Sequence, residues 1–304
     1  MTKIIRSPFF YVGDKYKLMT QLKKLFPDSI DTFIEPFVGG GSVFLNTNAK
    51  KYIVNDIETN IIDLHKLFYE YKDKKEIFIE ELIEIIKKYE LSCSFIGITV
   101  PEELKKKHVK TYYAKFNKPA YLDMRDEYNS SKDIKLLYLL LIYGFNHMIR
   151  FNNSGKFNLP VGNVDFNNNV YTSINNYIDF VSQENIKYHN MDYIEFINNL
   201  KIGEDDFIYF DPPYLLSNSE YNKMWNEEKE QELYNMIDVL SSKGIKFGLS
   251  NLLIQKDEEN HILSNWMDKY NVYDIKSNYI SYYDNSIKKS NKEVYITNVK
   301  ETTT

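Results

Sequence analysis

The sequence of 304 residues predicts an α/β protein: a doubly wound, mostly parallel sheet with a mainly helical domain inserted into it. Three observations predict this. Short apolar, β-branched and aromatic runs alternate with helical stretches toward both ends of the chain, as in sheets built from β-α-β units. A glycine-rich turn, Glu35-Pro36-Phe37-Val38-Gly39-Gly40-Gly41-Ser42, follows one such run, and Asp211-Pro212-Pro213-Tyr214 follows another. Between them, residues from about 70 to 165 break the alternation with a helical, lysine-rich stretch.

The elements follow in order. Leu18, Leu22 and Leu25 stand at helical spacing and predict a helix over Tyr16–Phe26. Thr32–Ile34 reads as a strand, Ser42–Asn46 as the start of a helix, and Lys51–Asn55 as a second strand ending at Asp56. A long charged helix follows, with Ile77, Leu82, Ile83, Ile86 and Tyr89 as its apolar stripe. The insertion ends in the loop NNSGKFNLPVGN. Strands then resume at Ile186–His189, Phe207–Phe210 and Lys246–Ser250, separated by helices at Ile194–Leu200 and Lys229–Ser241. Two last strands, Val272–Ile280 and Glu293–Asn298, are joined by the polar loop Asp284–Lys292. This divides the chain into a domain made of residues 1–70 and 166–304 and an inserted domain, 71–165. Sheets wound this way bind ligands at the carboxyl ends of their strands.

Composition narrows the setting. The longest apolar run, Leu136–Tyr143, is far short of the roughly 20 residues a bilayer span needs. MTKIIRSPFF lacks the apolar stretch and small-residue cleavage site of a secretory signal. A single cysteine, Cys93, excludes an internal disulfide and a cysteine-based zinc cluster. A cytosolic protein without membrane contact is expected. The net charge of −5 hides a split. Residues 1–27 carry six Lys/Arg against one acid, and residues 101–160 carry eleven Lys/Arg against six acids. Two basic stretches form a basic face if they meet in space.

Four segments carry chemistry. In the glycine turn, residues without Cβ let the backbone take unusual dihedrals and approach a ligand closely. Asp56 ends the next strand, where an acid can accept hydrogen bonds from ribose hydroxyls. The turn is not G-x-G-x-x-G and no phosphate-loop lysine follows, so a nucleoside cofactor without a pyrophosphate fits better. In the second segment, two prolines after a strand fix the backbone and remove two donors. The Pro212 carbonyl then stands beside the Asp211 carboxylate, and two acceptors can bind both hydrogens of an exocyclic amino group. Tyr214 offers an aromatic face for a planar base. The third, Tyr143–Asn152 with Lys156–Pro160, interleaves aromatics, amides and an arginine, the side chains that read purine edges and wedge between bases. The fourth, Ser7–Lys15, sets aromatics, a glycine and a lysine ahead of the first helix.

Together these residues resemble the D12 class of DNA N6-adenine methyltransferases, the DNA adenine methylase family. The order is the family's: PFxxxGxK, then EPFVGGGSVFLN, then an inserted recognition domain, then DPPY. IYGFNHMIRFNNSGKFNLP is similar to the family's YGxNGxxRxNxxGxFNxP, and SNYISYYDNSIKKSNKEVYITN to its late hairpin, where a Lys-Lys pair precedes the last strand. The chain departs from the pattern at Tyr11-Val12-Gly13-Asp14-Lys15, where Trp-Ala-Gly-Gly-Lys is frequent. It departs again at His147, where Gly is common, and at Asn163, near a usual Arg.

The resemblance implies methyl transfer from S-adenosylmethionine to adenine N6 in double-stranded DNA, by base flipping and without a metal. It implies a Rossmann-like S-adenosylmethionine-dependent fold in which residues 71–165 recognise the target. Asp211, Pro212 and Tyr214 would be catalytic, with Asp211 also touching the cofactor. Tyr11 and Lys15 would help hold the cofactor, Gly39 and Gly41 would shape its turn, and Asp56 would bind its ribose. Phe145, Asn146, Met148 and Arg150 would face the DNA. GATC, on which the best-known members act, comes with the family as a candidate site. So does a bacterial or phage setting, with a cognate restriction endonuclease acting separately. The rival readings are an RNA or protein-amide methyltransferase on the same fold and a catalytically inactive DNA-binding regulator.

Overall fold

The computed structural model describes residues 3–217, 225–276 and 291–300. The chain divides into two compact units. The first comprises Met1–Asp14, Gly39–Leu45 and Glu58–Glu184, and the second Lys15–Val38, Asn46–Ile57 and Asn185–Thr304. Residues 71–165 fall wholly within the first unit.

The second unit contains the sheet. Its strands are β1 (Thr32–Glu35), β2 (Lys51–Asn55), β3 (Ile186–His189), β4 (Phe207–Phe210), β5 (Lys246–Gln255), β6 (Glu258–Glu259), β7 (Asn271–Ile275) and β8 (Lys292–Thr297). The order is β3-β2-β1-β4-β5-β8-β7, with the two-residue β6 paired to β5. Strands β1 to β5 are mutually parallel, whereas β8 lies antiparallel between β5 and β7. The central strands TFIE and FIYF are buried at every residue. A parallel sheet covered on both faces demands that continuous apolar reading. Ile34 faces Ile53 on one side and Ile208 on the other. Ile208, Phe210, Phe247, Leu249 and Ile296 then pack with Leu233, Tyr234, Ile237 and Trp266 of the helices Glu227–Ser242 and His261–Met267. From β1 the chain winds outward to β2 and β3, then returns to place β4 on the opposite side of β1. Sheets that reverse in this way bind ligands at the carboxyl ends of the strands flanking the reversal, here β1 and β4.

Several elements differ from the sequence reading. Tyr16–Phe26 yields only an α-turn, Met19–Leu22, and a 3₁₀ turn, Lys23–Leu25; the helix start has no side-chain cap, and Pro27 follows closely. No helix grows from Ser42–Asn46, where a single 3₁₀ turn, Phe44–Asn46, forms. The chain beyond is Thr47-Asn48, types that compete with helical backbone bonds. The Tyr52 hydroxyl ties that segment down, donating to the Thr47 carbonyl at 2.9 Å and accepting from the Ala49 amide at 3.1 Å. β5 runs five residues past Ser250, with a register shift between Leu252 and Ile254. The expected strand Val272–Ile280 appears as Asn271–Ile275; its end, the loop as far as Ser290 and the Lys288-Lys289 pair lie outside the described residues.

The first unit is helical, with α-helices Thr59–Glu70, Lys75–Lys88, Glu102–Lys107, Tyr112–Ser131, Ile134–Tyr143 and Asn168–Gln183. Leu136–Tyr143 is buried at every position, so this helix is the centre around which the others pack. Asp133 starts it, its carboxylate accepting from the Lys135 amide at 2.8 Å. In Lys75–Lys88 the buried stripe is Phe78, Ile79, Leu82 and Ile86: Leu82 and Ile86 are where expected, Ile83 and Tyr89 are partly buried, and Ile77 is exposed. Phe78, Leu82 and Ile86 repeat every four residues, and Ile77 stands one position off that row. Among the described residues no helix is long and apolar enough to cross a membrane.

Candidate active site

β4 delivers Asp211 to the carboxyl edge of the sheet, directly after Phe210 and ahead of the two prolines. Lys15, only 4% exposed, reaches it from before the first helical turn. Its Nζ stands 2.7 Å from Asp211 Oδ2 and 5.0 Å from the centroid of the Tyr214 ring. The Tyr214 hydroxyl lies 3.2 Å from Asp211 Oδ1 and 2.9 Å from Glu293 Oε1. Glu293 belongs to β8 and is 2% exposed. Burial pushes the Asp211 carboxyl above the usual carboxylate range, opposed by the Lys15 charge and by hydrogen bonds from Lys15 and Tyr214. Burial likewise raises Glu293; Lys15 opposes this and the Asp211 charge adds to it. One ammonium thus stands against two buried carboxyl groups.

Around this cluster the sheet supplies fixed polar partners. Tyr209 and Ser250 share a 2.7 Å hydrogen bond, and Glu35 is buried at the end of β1. Asn55, at the end of β2, donates to the carbonyls of Pro36 and Met191, each at 3.0 Å. That amide fixes the backbone leaving β1 against the segment after β3. Asp56 follows, half-buried, its carbonyl accepting from Asn190 at 2.8 Å.

The glycine turn is a separate construction, in the first unit. Gly39 and Gly41 have φ of +46° and +79°. The Tyr11 ring lies along the turn: a Cβ on Gly39 would stand 3.7 Å from it. Ser7 donates to the Gly40 carbonyl. His65 closes the turn from behind, with Nε2 2.8 Å from the Gly39 carbonyl and Nδ1 2.6 Å from the Tyr177 hydroxyl. Burial pulls this imidazole down to about 4, so it is neutral at pH 7. A carbonyl can only accept, so Nε2 carries the proton and Nδ1 accepts from Tyr177. A Cβ on Gly41 would sit 2.4 Å from Phe44 and 2.8 Å from His65. Gly41→Ala is therefore expected to distort the turn and cost more than the roughly 1–2 kcal/mol of the left-handed conformation alone. Thermal unfolding checks this; an unchanged midpoint would contradict the packing described.

Phe145, Asn146, Met148 and Arg150 share one loop after the Ile134–Tyr143 helix. Phe145 is 52% exposed, and Asn146 and His147 take positive φ of 55° and 50°. The loop is folded back on itself by bridges between Gly144 and Val161 and between Phe151 and Phe157. Glycine is required at 162, where a Cβ would meet the Gly144 carbonyl oxygen at 2.7 Å. Arg150 braces the loop, with Nε donating to Asn158 Oδ1 at 2.9 Å and Nη2 to the Asn158 carbonyl at 2.8 Å. Asn163 accepts from the Ala114 amide at 3.2 Å near the start of the Tyr112–Ser131 helix.

The structure thus brings Lys15, Asp211 and Tyr214 into contact, and Tyr11 with Gly39; Pro212 is buried beside Asp211 in the chain. Glu293, His65 and Asn158 complete these groups and were not foreseen. For Glu293 a signal existed: an acid within KEVYIT, a strand buried on both faces, has to be paired. Among the described residues no group of His, Cys, Asp or Glu is arranged to hold a metal ion.

A sheet that reverses between β1 and β4, with an acidic turn at that reversal, defines a doubly wound α/β protein. The chain belongs to the D12 class N6 adenine-specific DNA methyltransferase family, which it matches over residues 11–299. It is similar to the type II methyltransferase M.FokI of Planomicrobium okeanokoites, 33% identical over 303 residues, covering 97% of this chain and 43% of that protein. The modification methylase StsI of Streptococcus sanguinis is 34% identical over 307 residues, with the same two shares, 97% and 43%. The DNA adenine methylase of Escherichia coli K12 is 26% identical over 214 residues, 67% of this chain and 63% of that protein. The chain spans less than half the length of the first two relatives.

Proposed function

We propose that this chain transfers a methyl group from S-adenosylmethionine to the N6 amino group of adenine in duplex DNA. The observation that carries the reading is the Asp211 carboxylate at the carboxyl end of β4, paired with Lys15 at 2.7 Å and with the Tyr214 hydroxyl 3.2 Å from its other oxygen. An aromatic amine is a poor nucleophile because its lone pair is delocalised into the ring. Asp211 and the Pro212 carbonyl, accepting from the two amino hydrogens, favour a pyramidal nitrogen with its lone pair directed at the methyl group. Asp211 then accepts the proton, which becomes acidic only as the N–C bond forms.

When bound, S-adenosylmethionine supplies a methyl group on a sulfonium that leaves as a neutral thioether. The residues present fit that cation, since two carboxyl groups stand against one ammonium in the Asp211 cluster. Tyr11, Lys15, Gly39 and Gly41 would hold the cofactor, and Asp56 would accept from its ribose hydroxyls. The adenine has to leave the duplex, at a cost of a few kcal/mol, and stacking on Tyr214 offsets part of it. Phe145, exposed at a loop tip, is suited to wedge into the stack it leaves. Residues 71–165, with the loop carrying Phe145, Asn146, Met148 and Arg150, act as the target-recognition part. The names of the two longer relatives support a modification role in a restriction-modification system, with an endonuclease acting separately in the same cytoplasm.

A labelled methyl group should pass from the cofactor to adenine in duplex DNA. Label on RNA or on protein would overturn the reading in favour of another methyltransferase, and no transfer at all would favour an inactive DNA-binding regulator. Specificity has its own test. Two donors of Arg150 hold Asn158, and its outer Nη edge has the geometry for guanine O6 and N7. In a GATC duplex that guanine belongs to the outer base pair. Arg150→Ala is expected to lose about 1–3 kcal/mol of discrimination there while phosphate affinity survives. Single-molecule sequencing of modified DNA reads both points; methylation confined to a motif without an outer G·C pair would refute the site and the role of Arg150.

A further inference from the structure

We propose that Glu293 is a positioning residue that draws the Tyr214 proton away from Asp211 and so keeps the catalytic acceptor open to the adenine amino group. The proposal rests on the methyltransferase reading above. Glu293 lies 79 positions beyond Tyr214, on the antiparallel strand β8, outside every motif that carries the resemblance to the family except its late hairpin.

A phenol has one hydrogen to donate. Tyr214 faces two carboxylate oxygens, Glu293 Oε1 at 2.9 Å and Asp211 Oδ1 at 3.2 Å. The shorter contact takes the proton. Asp211 Oδ2 is already engaged by Lys15 at 2.7 Å, so Oδ1 is the oxygen with capacity to accept from an incoming amino group. If Glu293 is removed, the hydroxyl turns to Oδ1 and competes with the substrate for that oxygen. Glu293 also holds the ring itself: the hydroxyl is fixed at one edge, and the Lys15 ammonium stands 5.0 Å from the centroid. An anchored ring is a prepared stacking surface, and anchoring removes a rotational cost from base binding.

The electrostatics give Glu293 a second effect, opposite in sign and separately measurable. Lys15, Asp211 and Tyr214 all act on the Glu293 carboxyl, and the buried Tyr209 phenol feels Asp211, Glu35 and Glu293 together. Asp211 and Glu293 are like charges bridged by one hydroxyl, so each disfavours ionisation of the other. Replacing Glu293 by a neutral group therefore lowers the pH at which Asp211 ionises. A residue that only filled space in β8 would have no such effect.

The experiment compares the wild type with E293Q, E293A, Y214F and the double variant E293A/Y214F. kcat and cofactor KM are measured across pH, and thermal unfolding is followed in parallel. E293A is expected to lower kcat about tenfold or more with cofactor KM little changed, the size of a competing hydrogen bond to a charged acceptor. Y214F in that background removes the competing donor, so the double variant should turn over faster than E293A alone. E293Q keeps an acceptor for Tyr214 and should retain most of kcat, with the acid limb of its profile at lower pH. A double variant as slow as E293A, or an E293Q profile with an unmoved acid limb, would overturn the proposal. If E293A fails to fold, the E293Q profile decides. Carbon-13 titration of the Asp211 carboxyl in E293Q reads the same displacement without turnover. A wild type inactive on duplex DNA whose Asp211 midpoint still falls in E293Q would sink the functional reading and leave the Glu293 coupling standing.

Discussion

Asp211→Ala is expected to reduce methyl transfer at least about a thousandfold while duplex DNA binding persists. In the proposed reaction the carboxylate aligns the amino nitrogen and takes its proton, and loss of either role alone costs about a hundredfold or more. DNA affinity should survive, because phosphate contacts come from basic side chains and Asp211 contributes none. The substitution has a second effect. Lys15 is 4% exposed and would lose the carboxylate 2.7 Å away, and breaking a buried pair costs about 3–5 kcal/mol. Asp211→Asn keeps the shape and one acceptor, and separates the chemical loss from the structural one. Single-turnover rates beside filter binding provide the measurement. Near-normal turnover in both variants would remove Asp211 from the mechanism.

The strands were the legible part of the fold. Phe207–Phe210 and Lys51–Asn55 form where expected because a central parallel strand has to be apolar on both faces and is cut off by polar or proline residues. The helices around the glycine turn were not legible. Ser42–Asn46 has helical composition, yet Tyr52 hydroxyl contacts from the next strand hold the following residues extended. In Lys75–Lys88 Leu82 and Ile86 were legible, but the first turn was misplaced by one residue, since Ile77 and Phe78 are equally apolar and only the tertiary environment chooses between them.

The candidate site divides the same way. Asp211, Tyr214, Gly39 and Gly41 announce themselves by local backbone chemistry, prolines after a strand and glycines at positive φ. Glu293, His65 and Asn158 act through partners 79, 26 and 8 positions away in the chain. No spacing rule links such pairs. They become visible only when burial forces a charged or polar group to find a partner. Arg150 is the intermediate case: its type suggested base reading, and its Nε and one Nη2 donor hold its own loop in place.

Lys15→Met is expected to move the acid limb of the activity profile to higher pH and to make the folded state less stable as pH rises. Burial is the largest influence on Asp211 and raises the pH at which it ionises; the Lys15 charge is the first force that opposes it. With an apolar side chain of similar length, burial loses the charge that chiefly opposes it. Asp211 then ionises at still higher pH, so the form that accepts from the amino group appears later in a titration. Stability follows from linkage. An acid that ionises at higher pH when folded binds more protons in the folded chain than in the unfolded one. The variant should therefore be least affected near the unfolded carboxylate value of about 4 and lose stability progressively above it. At neutral pH the loss should approach the 3–5 kcal/mol typical of a broken buried pair, reduced to the extent that Asp211 stays protonated. Adding Asp211→Asn removes the unpaired charge and should recover much of that stability without restoring activity. Denaturant unfolding of the single and double variants from pH 4 to pH 8 tests the sign. A loss that grows on acidification, or an acid limb displaced to lower pH, would show that Lys15 does not hold Asp211 in its ionised form.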